Sequence, residues 1–237
     1  GARRLLVFET GAPAPYPLVS LRDLHFQPAD ICLIGDRRFV LLGLDPTSSE
    51  PIIRELDETG RQIAQFGSRE KPPAADAAIF GEQDDFHNYG NIHCDPRRDE
   101  IYVVTSYFPL VRVFDLGGRE VRRFPVADFQ PQGFRSRDGR CCTFYIPQPD
   151  PMNGHLHVTL AITMDPEGNL VLTVEEHRFR NRERTVLFER RVIDPETGAQ
   201  RSRTPVPGRV FSWTWDRLYT YSSEAGGRIQ VQDPPQR

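Results

Sequence analysis

The chain has 237 residues, 38% hydrophobic and 27% charged, with a formal net charge of −3. That is enough chain for one sizeable core or two small ones. The composition excludes a disordered protein, and the near-balanced charge, which is not that of a basic domain, gives no nucleic-acid footprint. No apolar run approaches the roughly 18–20 residues of a membrane span. Of the 30 basic residues only Lys71 is a lysine, which reads as the codon bias of a GC-rich, bacterial genome. The chain starts at Gly1 and its first methionine is Met152, so a processed or trimmed product is expected, with a removed signal or anchor left open.

In chain order, the segment from Arg3 to Gly11 opens as a strand followed by an acid and a turn, and Thr10 to Pro17 carries three prolines and reads as a surface loop. A short apolar strand, Ile31 to Ile34, leads through Asp36-Arg37-Arg38 into Phe39 to Leu44. Next comes a fuller phrase, Ile53-Arg54-Glu55-Leu56-Asp57-Glu58-Thr59-Gly60, continuing to Phe66: a strand, an Asp, a tight turn and a second strand. Residues 68–89 form a connector whose Ala-rich piece, Ala74 to Phe80, has room for one or two helical turns. The pattern then restarts with Asn91 to Cys94, the turn Pro96 to Asp99, the strand Ile101 to Ser106, and the phrase Val111 to Phe124 around Asp115 and Gly118. Residues 127–154 do not fit, although Phe134 to Ile146 reads as a hairpin around Asp138-Gly139, half of another blade. The pattern returns as Val158 to Met164, Asp165 to Asn169, Leu170 to Val174 and the phrase Glu189 to Gln200. A last copy runs from Val210 to a truncated phrase at Arg228 to Asp233. The strands are rich in β-branched and aromatic residues and bounded by Pro, Gly, Asn and Asp.

Repetition on this scale means stacked or radial units, and four antiparallel strands per unit make a propeller blade. The predicted fold is all-β, a single β-propeller domain over residues 1–237. Its blades cover residues 29–67, 90–126, 155–206 and 209–233, with an irregular insert at 127–154. The last blade lacks its outer strand, and residues 3–9 are expected to pair with the C-terminal strands and close the ring, removing an exposed edge. The expected count is about five blades, one irregular, with four or six as the alternatives.

The Asp-x-x-Gly turn at Asp57 and Gly60, the related Asp115-Leu116-Gly117-Gly118, the apolar pair before each Asp, and Asp165-Pro166-Glu167-Gly168-Asn169 resemble the NHL-like, six-bladed-type β-propeller superfamily. The chain departs from it in being short and in its unequal spacing from Asp57 to Asp115, Asp194 and Asp233. The resemblance implies the fold. Because that superfamily holds lactonases and lyases as well as binding platforms, chemistry has to be sought in particular residues.

His93 and Asp95 share a strand face where a loop enters an inner strand, and such a pair can begin a metal site. His155 and His157 form a His-x-His pair with both imidazoles on one face. Neither pair has a third ligand in view, so no metal or cofactor is expected. Glu82, Asp84 and Asp85 lack the spacing of a calcium loop and read as solvated. No serine-hydrolase elbow or phosphate loop is present. Trp213 and Trp215 share a face, suited to packing or to sugar binding. The four arginines of Arg178-Phe179-Arg180-Asn181-Arg182-Glu183-Arg184 are denser than a hairpin tip requires, so Arg178, Phe179, Arg180, Arg182 and Arg184 are the expected partner-binding residues. Cys32 and Cys94 are expected as small buried hydrophobes on inner strands, a disulfide being open only in an oxidising compartment.

The expected function is a non-enzymatic scaffold or interaction module. The expected setting is periplasmic or extracytoplasmic, in a larger and membrane-associated respiratory or photosynthetic complex. A metal-dependent hydrolase or lactonase at the channel and a carbohydrate- or peptide-binding receptor are the alternatives.

Overall fold

The computed structural model describes side chains for residues 26–35, 38–44, 51–71, 87–131, 153–181 and 183–206, and backbone alone for seven further strands. The strands are β1 (Arg4–Val7), β2 (Tyr16–Ser20), β3 (Gln27–Ile34), β4 (Arg38–Leu44), β5 (Ile53–Leu56), β6 (Gln62–Phe66), β7 (Gly90–Asp95), β8 (Glu100–Thr105), β9 (Leu110–Asp115), β10 (Glu120–Pro125), β11 (Gly133–Arg137), β12 (Arg140–Tyr145), β13 (Gly154–Met164), β14 (Leu170–Arg180), β15 (Glu183–Ile193), β16 (Gln200–Val206), β17 (Val210–Thr214), β18 (Arg217–Ser222) and β19 (Arg228–Gln232). They form three four-stranded antiparallel sheets, β3 to β6, β7 to β10 and β13 to β16, and a three-stranded sheet, β17 to β19. The inner strands β3, β7, β13 and β17 neighbour one another in that order. These sheets are blades of a β-propeller, each a meander whose first strand lies innermost. No helix among the described residues is long and apolar enough to cross a membrane.

The recurring Asp explains the repeat physically. In the β5–β6 turn the Asp57 carboxylate accepts the backbone N–H groups of Thr59 (2.9 Å) and Arg61 (3.0 Å), while Gly60 N–H bonds the Asp57 carbonyl. Asp115 takes Gly117 and Arg119 N–H in the same way, and Asp194 takes Glu196 and Thr197. One side chain thus satisfies turn amides that would otherwise lack partners. The Thr59 hydroxyl, with those amides and Arg61, holds the Asp57 carboxyl down at about 2.

Successive blades pack face to face. Ile34, Val40, Leu42, Ile53, Ile92, Ile101, Val103 and Phe114 fill the first interface. Tyr102, Val104, Val113, Phe124, Ile162, Met164, Leu172 and Ile193 fill the second. The middle strand β8 is covered on both faces, so Ile101 to Val104 read as an unbroken apolar run. A second contact repeats at the rim. Phe66 lies on the turn glycine of the next blade, Gly118, and Phe124 lies on Gly198. A Cβ on Gly198 would meet the Phe124 ring at 2.6 Å, and its φ of +74° is one that L side chains rarely adopt. Gly198→Ala is therefore expected to cost about 1–3 kcal/mol, read as a lower denaturant midpoint. An unchanged midpoint would show that the ring gives way freely.

Three expectations are corrected. Cys32 and Cys94 are joined in a disulfide, with Cα atoms 5.6 Å apart, linking inner strands β3 and β7. Equivalent positions on adjacent inner strands bring the two thiols together, which neither residue's own segment reveals. The N-terminal strand β1 pairs with β2, and among the described residues it makes no pair with the C-terminal sheet. The β11–β12 hairpin is no blade between the second and third, because β13 packs directly on β7 and Thr159 N–H bonds the Ser106 carbonyl (2.8 Å). The Ala-rich connector, the acids Glu82, Asp84 and Asp85, Arg182, Trp215 and the Trp213 side chain lie outside the described residues.

Candidate functional site

The third blade departs from the others. Its strands β13, β14 and β15 are each 11 residues long, against 4 to 8 in the other described blades. At about 3.3 Å per residue the surplus projects the sheet by roughly 10–20 Å. The register places Gly154 opposite Phe179 and Arg180 opposite Glu183, so the arginine-rich tip caps the projection. Asn181 at the tip has φ +51°, a left-handed conformation that Asn tolerates better than most residues.

Alternation along the strands sorts the side chains onto two faces. On one face His155 lies opposite Arg178 and His157 opposite Glu176. The imidazoles meet edge to face, with centroids 5.4 Å apart. They line a polar cleft of about 450 Å³ with Val126, Asp128, Phe129, Gln130, Glu176, Arg178 and Arg203. Arg178 binds both Glu176 oxygens, from Nε at 2.8 Å and Nη2 at 2.9 Å. Arg203 approaches Glu176 Oε2 at 3.5 Å and donates from Nε to Glu189, which also holds the buried Arg191. Burial alone would raise the Glu176 carboxyl, but Arg178 outweighs it and the group lies below the ordinary carboxylate range.

The segment leaving the second blade forms the cleft's other wall. His157 N–H bonds the Gln130 carbonyl at 2.8 Å, and Gln130 N–H donates to His157 Nδ1 at 2.8 Å. A backbone donor at Nδ1 leaves the neutral ring's proton on Nε2. A metal would need the Nε2 lone pair, so this bond opposes ligation by His157. Burial first, and then the charge of Arg191, push the imidazole down from 6.5 to about 4. The sign follows. Between pH 6.5 and 4 the unfolded chain accepts a proton that the folded chain refuses, so His157 costs stability as pH falls through that window and nothing above it. The expected result is a His157 ring that stays neutral at pH 5.5 by nuclear magnetic resonance, with a fall in stability over this window that His157→Asn removes.

The other face lines a cleft of about 530 Å³ where three inner strands meet. Tyr89 and Tyr107 stack there with centroids 6.2 Å apart. Asn91 donates to the Thr159 carbonyl (3.2 Å), and His177 pairs with Glu175 (2.6 Å). Phe179 and Arg184 complete the wall.

The predicted residues therefore divide. His155, His157 and Arg178 come together in the polar cleft, and Phe179 and Arg184 turn to the aromatic one. Arg180 is exposed at the tip. His93 and Asp95 belong to neither cleft. Asp95 is 2% exposed and is spent on the turn after β7, taking Arg97 N–H at 3.0 Å and Arg98 at 3.4 Å. Among the described residues no group of three His, Cys, Asp or Glu side chains is arranged to hold a metal ion. Reading from sequence missed Glu176, Glu189, Arg191 and Arg203. Arg191 did carry a signal, standing three residues before the turn Asp as Arg54 and Arg112 do.

No protein-family profile and no curated protein matches this chain. Solved structures of similar shape include a member of the DUF4221 family from Bacteroides vulgatus, at 12% identity and a TM-score of 0.48, covering 85% of this chain and 63% of that one. A luciferin-regenerating enzyme is similar at 12% identity and 0.47, over 89% of this chain and 59% of that one. A putative 6-phosphogluconolactonase from Bacteroides uniformis is similar at 12% identity and 0.42, over 95% and 75%. This chain spans about three fifths of the length of the first two, and what those proteins act on is said of them alone.

Proposed function

We propose that this chain is a non-enzymatic β-propeller interaction module that docks a protein partner through its projecting third blade. The carrying observation is the continuation of three strands to 11 residues, ending in exposed arginines. Residues 178–184 hold four arginines against one glutamate, which suits an acidic partner. The elongated sheet is a rigid mount, its polar face cross-linked by the Arg178–Glu176–Arg203–Glu189 chain of ion pairs. An extracytoplasmic setting, as accessory subunit of a larger complex, is part of this reading. The Cys32–Cys94 disulfide supports it, since such bonds persist in oxidising compartments.

A metal-dependent hydrolase is the competing reading. The commitment of Asp95 to its turn and of His157 Nδ1 to Gln130 favours the module instead. The test is gentle isolation from the native source, membranes included, with cross-linking and mass spectrometry. A stoichiometric partner cross-linked to residues 178–184 is expected. A lone monomer would overturn the reading, and turnover in a lactone and ester screen would favour its competitor.

A further inference from the structure

We propose that the polar cleft beside His157 is a carboxylate-binding site, taking an acidic side chain of the partner; this rests on the docking reading above. His157 is 1% exposed, and its Nε2, which bears the proton because Nδ1 accepts from Gln130, has no hydrogen-bond partner among the described residues. A buried polar group of this kind costs about 1–3 kcal/mol unless something satisfies it. Arg178 spends Nε and Nη2 on Glu176, and Arg203 spends Nε on Glu189 and Nη2 on Glu176. That leaves Nη1 of each arginine with no partner among the described residues.

The buried carboxylates of the same wall are engaged. Glu176 Oε1 and Oε2 are both held by Arg178, and Glu189 is shared between Arg191 and Arg203. Asp128 is exposed, at the rim. The uncommitted capacity of His157, Arg178 and Arg203 is thus donors only: one imidazole N–H and two guanidinium Nη1 groups. A ligand that fits must bring acceptors, and a carboxylate offers two oxygens to a set of planar donors. The Phe129 ring, tilted against His157 at 5.3 Å, supports the imidazole from one side. His157 Nε2 is itself out of solvent contact. Binding therefore entails a side-chain rearrangement at the cleft wall, which the Nε2–H signal reports.

The test uses the full chain and two probes, N-acetylglutamate and an acetylated, amidated hexaglutamate peptide. Affinities are read by titration calorimetry, and the place of binding by the ring nitrogen and Nε2–H signals of His157 by nuclear magnetic resonance. A saturable shift of those signals with either probe is expected. His157→Asn places an oxygen near the Nδ1 position, keeping the Gln130 bond while removing the Nε2 donor. It is expected to weaken peptide binding by about 10- to 100-fold, as loss of one hydrogen bond to a charged group does. Arg203→Gln is expected to weaken it without moving the ring's protonation pattern. Absence of a ring shift with both probes, or unchanged affinity in both variants, would overturn the site. Those results would leave the docking reading standing if the partner still cross-links to the tip, whereas a lone monomer on isolation fails the docking reading whatever the cleft binds.

Discussion

Replacing Cys32 and Cys94 together by alanine is expected to lower the stability of the folded chain by about 4 kcal/mol. The two residues are 62 apart in sequence. Their bond closes a loop in the unfolded chain that contains most of the first blade and the connector to the second. Chain-entropy reasoning puts the loss of unfolded-state freedom for such a loop near the upper end of the usual range. Cys94 is 7% exposed and belongs to the core between the blades, with Cys32 packed against it. The double variant also loses sulfur contacts there, which adds to the effect. For a chain of this length the drop corresponds to a fall in melting temperature of about 8–16 °C. The measurement is thermal unfolding of wild type and variant, each with and without reductant. Wild type should fall toward the variant on reduction, and the variant should not respond. Equal midpoints in all four samples would mean that the bond contributes nothing or does not form.

The same disulfide marks the boundary of what the sequence discloses. The turn phrase was legible because its physics is local: Asp57, Asp115 and Asp194 each bond amides within a few residues. The blades follow from it, since strands joined by tight turns pair with their neighbours. Relations between blades are not local. That Cys32 faces Cys94 follows only once β3 and β7 are adjacent inner strands. The β11–β12 hairpin looked like half a blade because nothing in its residues says that β13 already occupies the place beside β7. His155 and His157 were correctly placed on one face by alternation. What decides their chemistry is Gln130, 27 residues away. In the third blade the sequence pattern delimits one strand ending at Val174 and another phrase beginning at Glu189. The strands run on because both faces of the projection are used, one polar and one aromatic, which blurs the alternation.

Arg191→Ala is expected to cost about 3–5 kcal/mol, the range for removing one partner from a buried pair. Arg191 is 0% exposed. Its guanidinium donates to Glu189 Oε1 (2.5 Å), to the Ala127 carbonyl (2.5 Å) and to the Asp128 carbonyl (3.2 Å). Arg112 does the equivalent between the first two blades, bonding Glu120 and the Ser68 carbonyl (2.7 Å). Each arginine stands on the third strand of its blade and ties down the chain that leaves the preceding blade. A planar fork with five donors can serve a carboxylate and carbonyls at once, whereas one ammonium cannot span them. Arg191→Lys is therefore expected to recover little of the loss. Two controls separate this account from a simple count of ion pairs. Arg61→Ala removes an exposed pair with Asp57, the arginine side chain being 79% exposed, and should cost less than about 1 kcal/mol. Combining Arg191→Met with Glu189→Leu removes both buried charges and leaves Arg203 its contact with Glu176, and should cost less than Arg191→Ala alone, in which the buried Glu189 carboxylate keeps Arg203 but loses Arg191. Hydrogen exchange should quicken at residues 126–130 in Arg191→Ala, because those carbonyls and the Gln130 bond to His157 depend on the same segment. A variant within about 1 kcal/mol of wild type, with unchanged exchange there, would mean that the apolar interface alone holds the blades together.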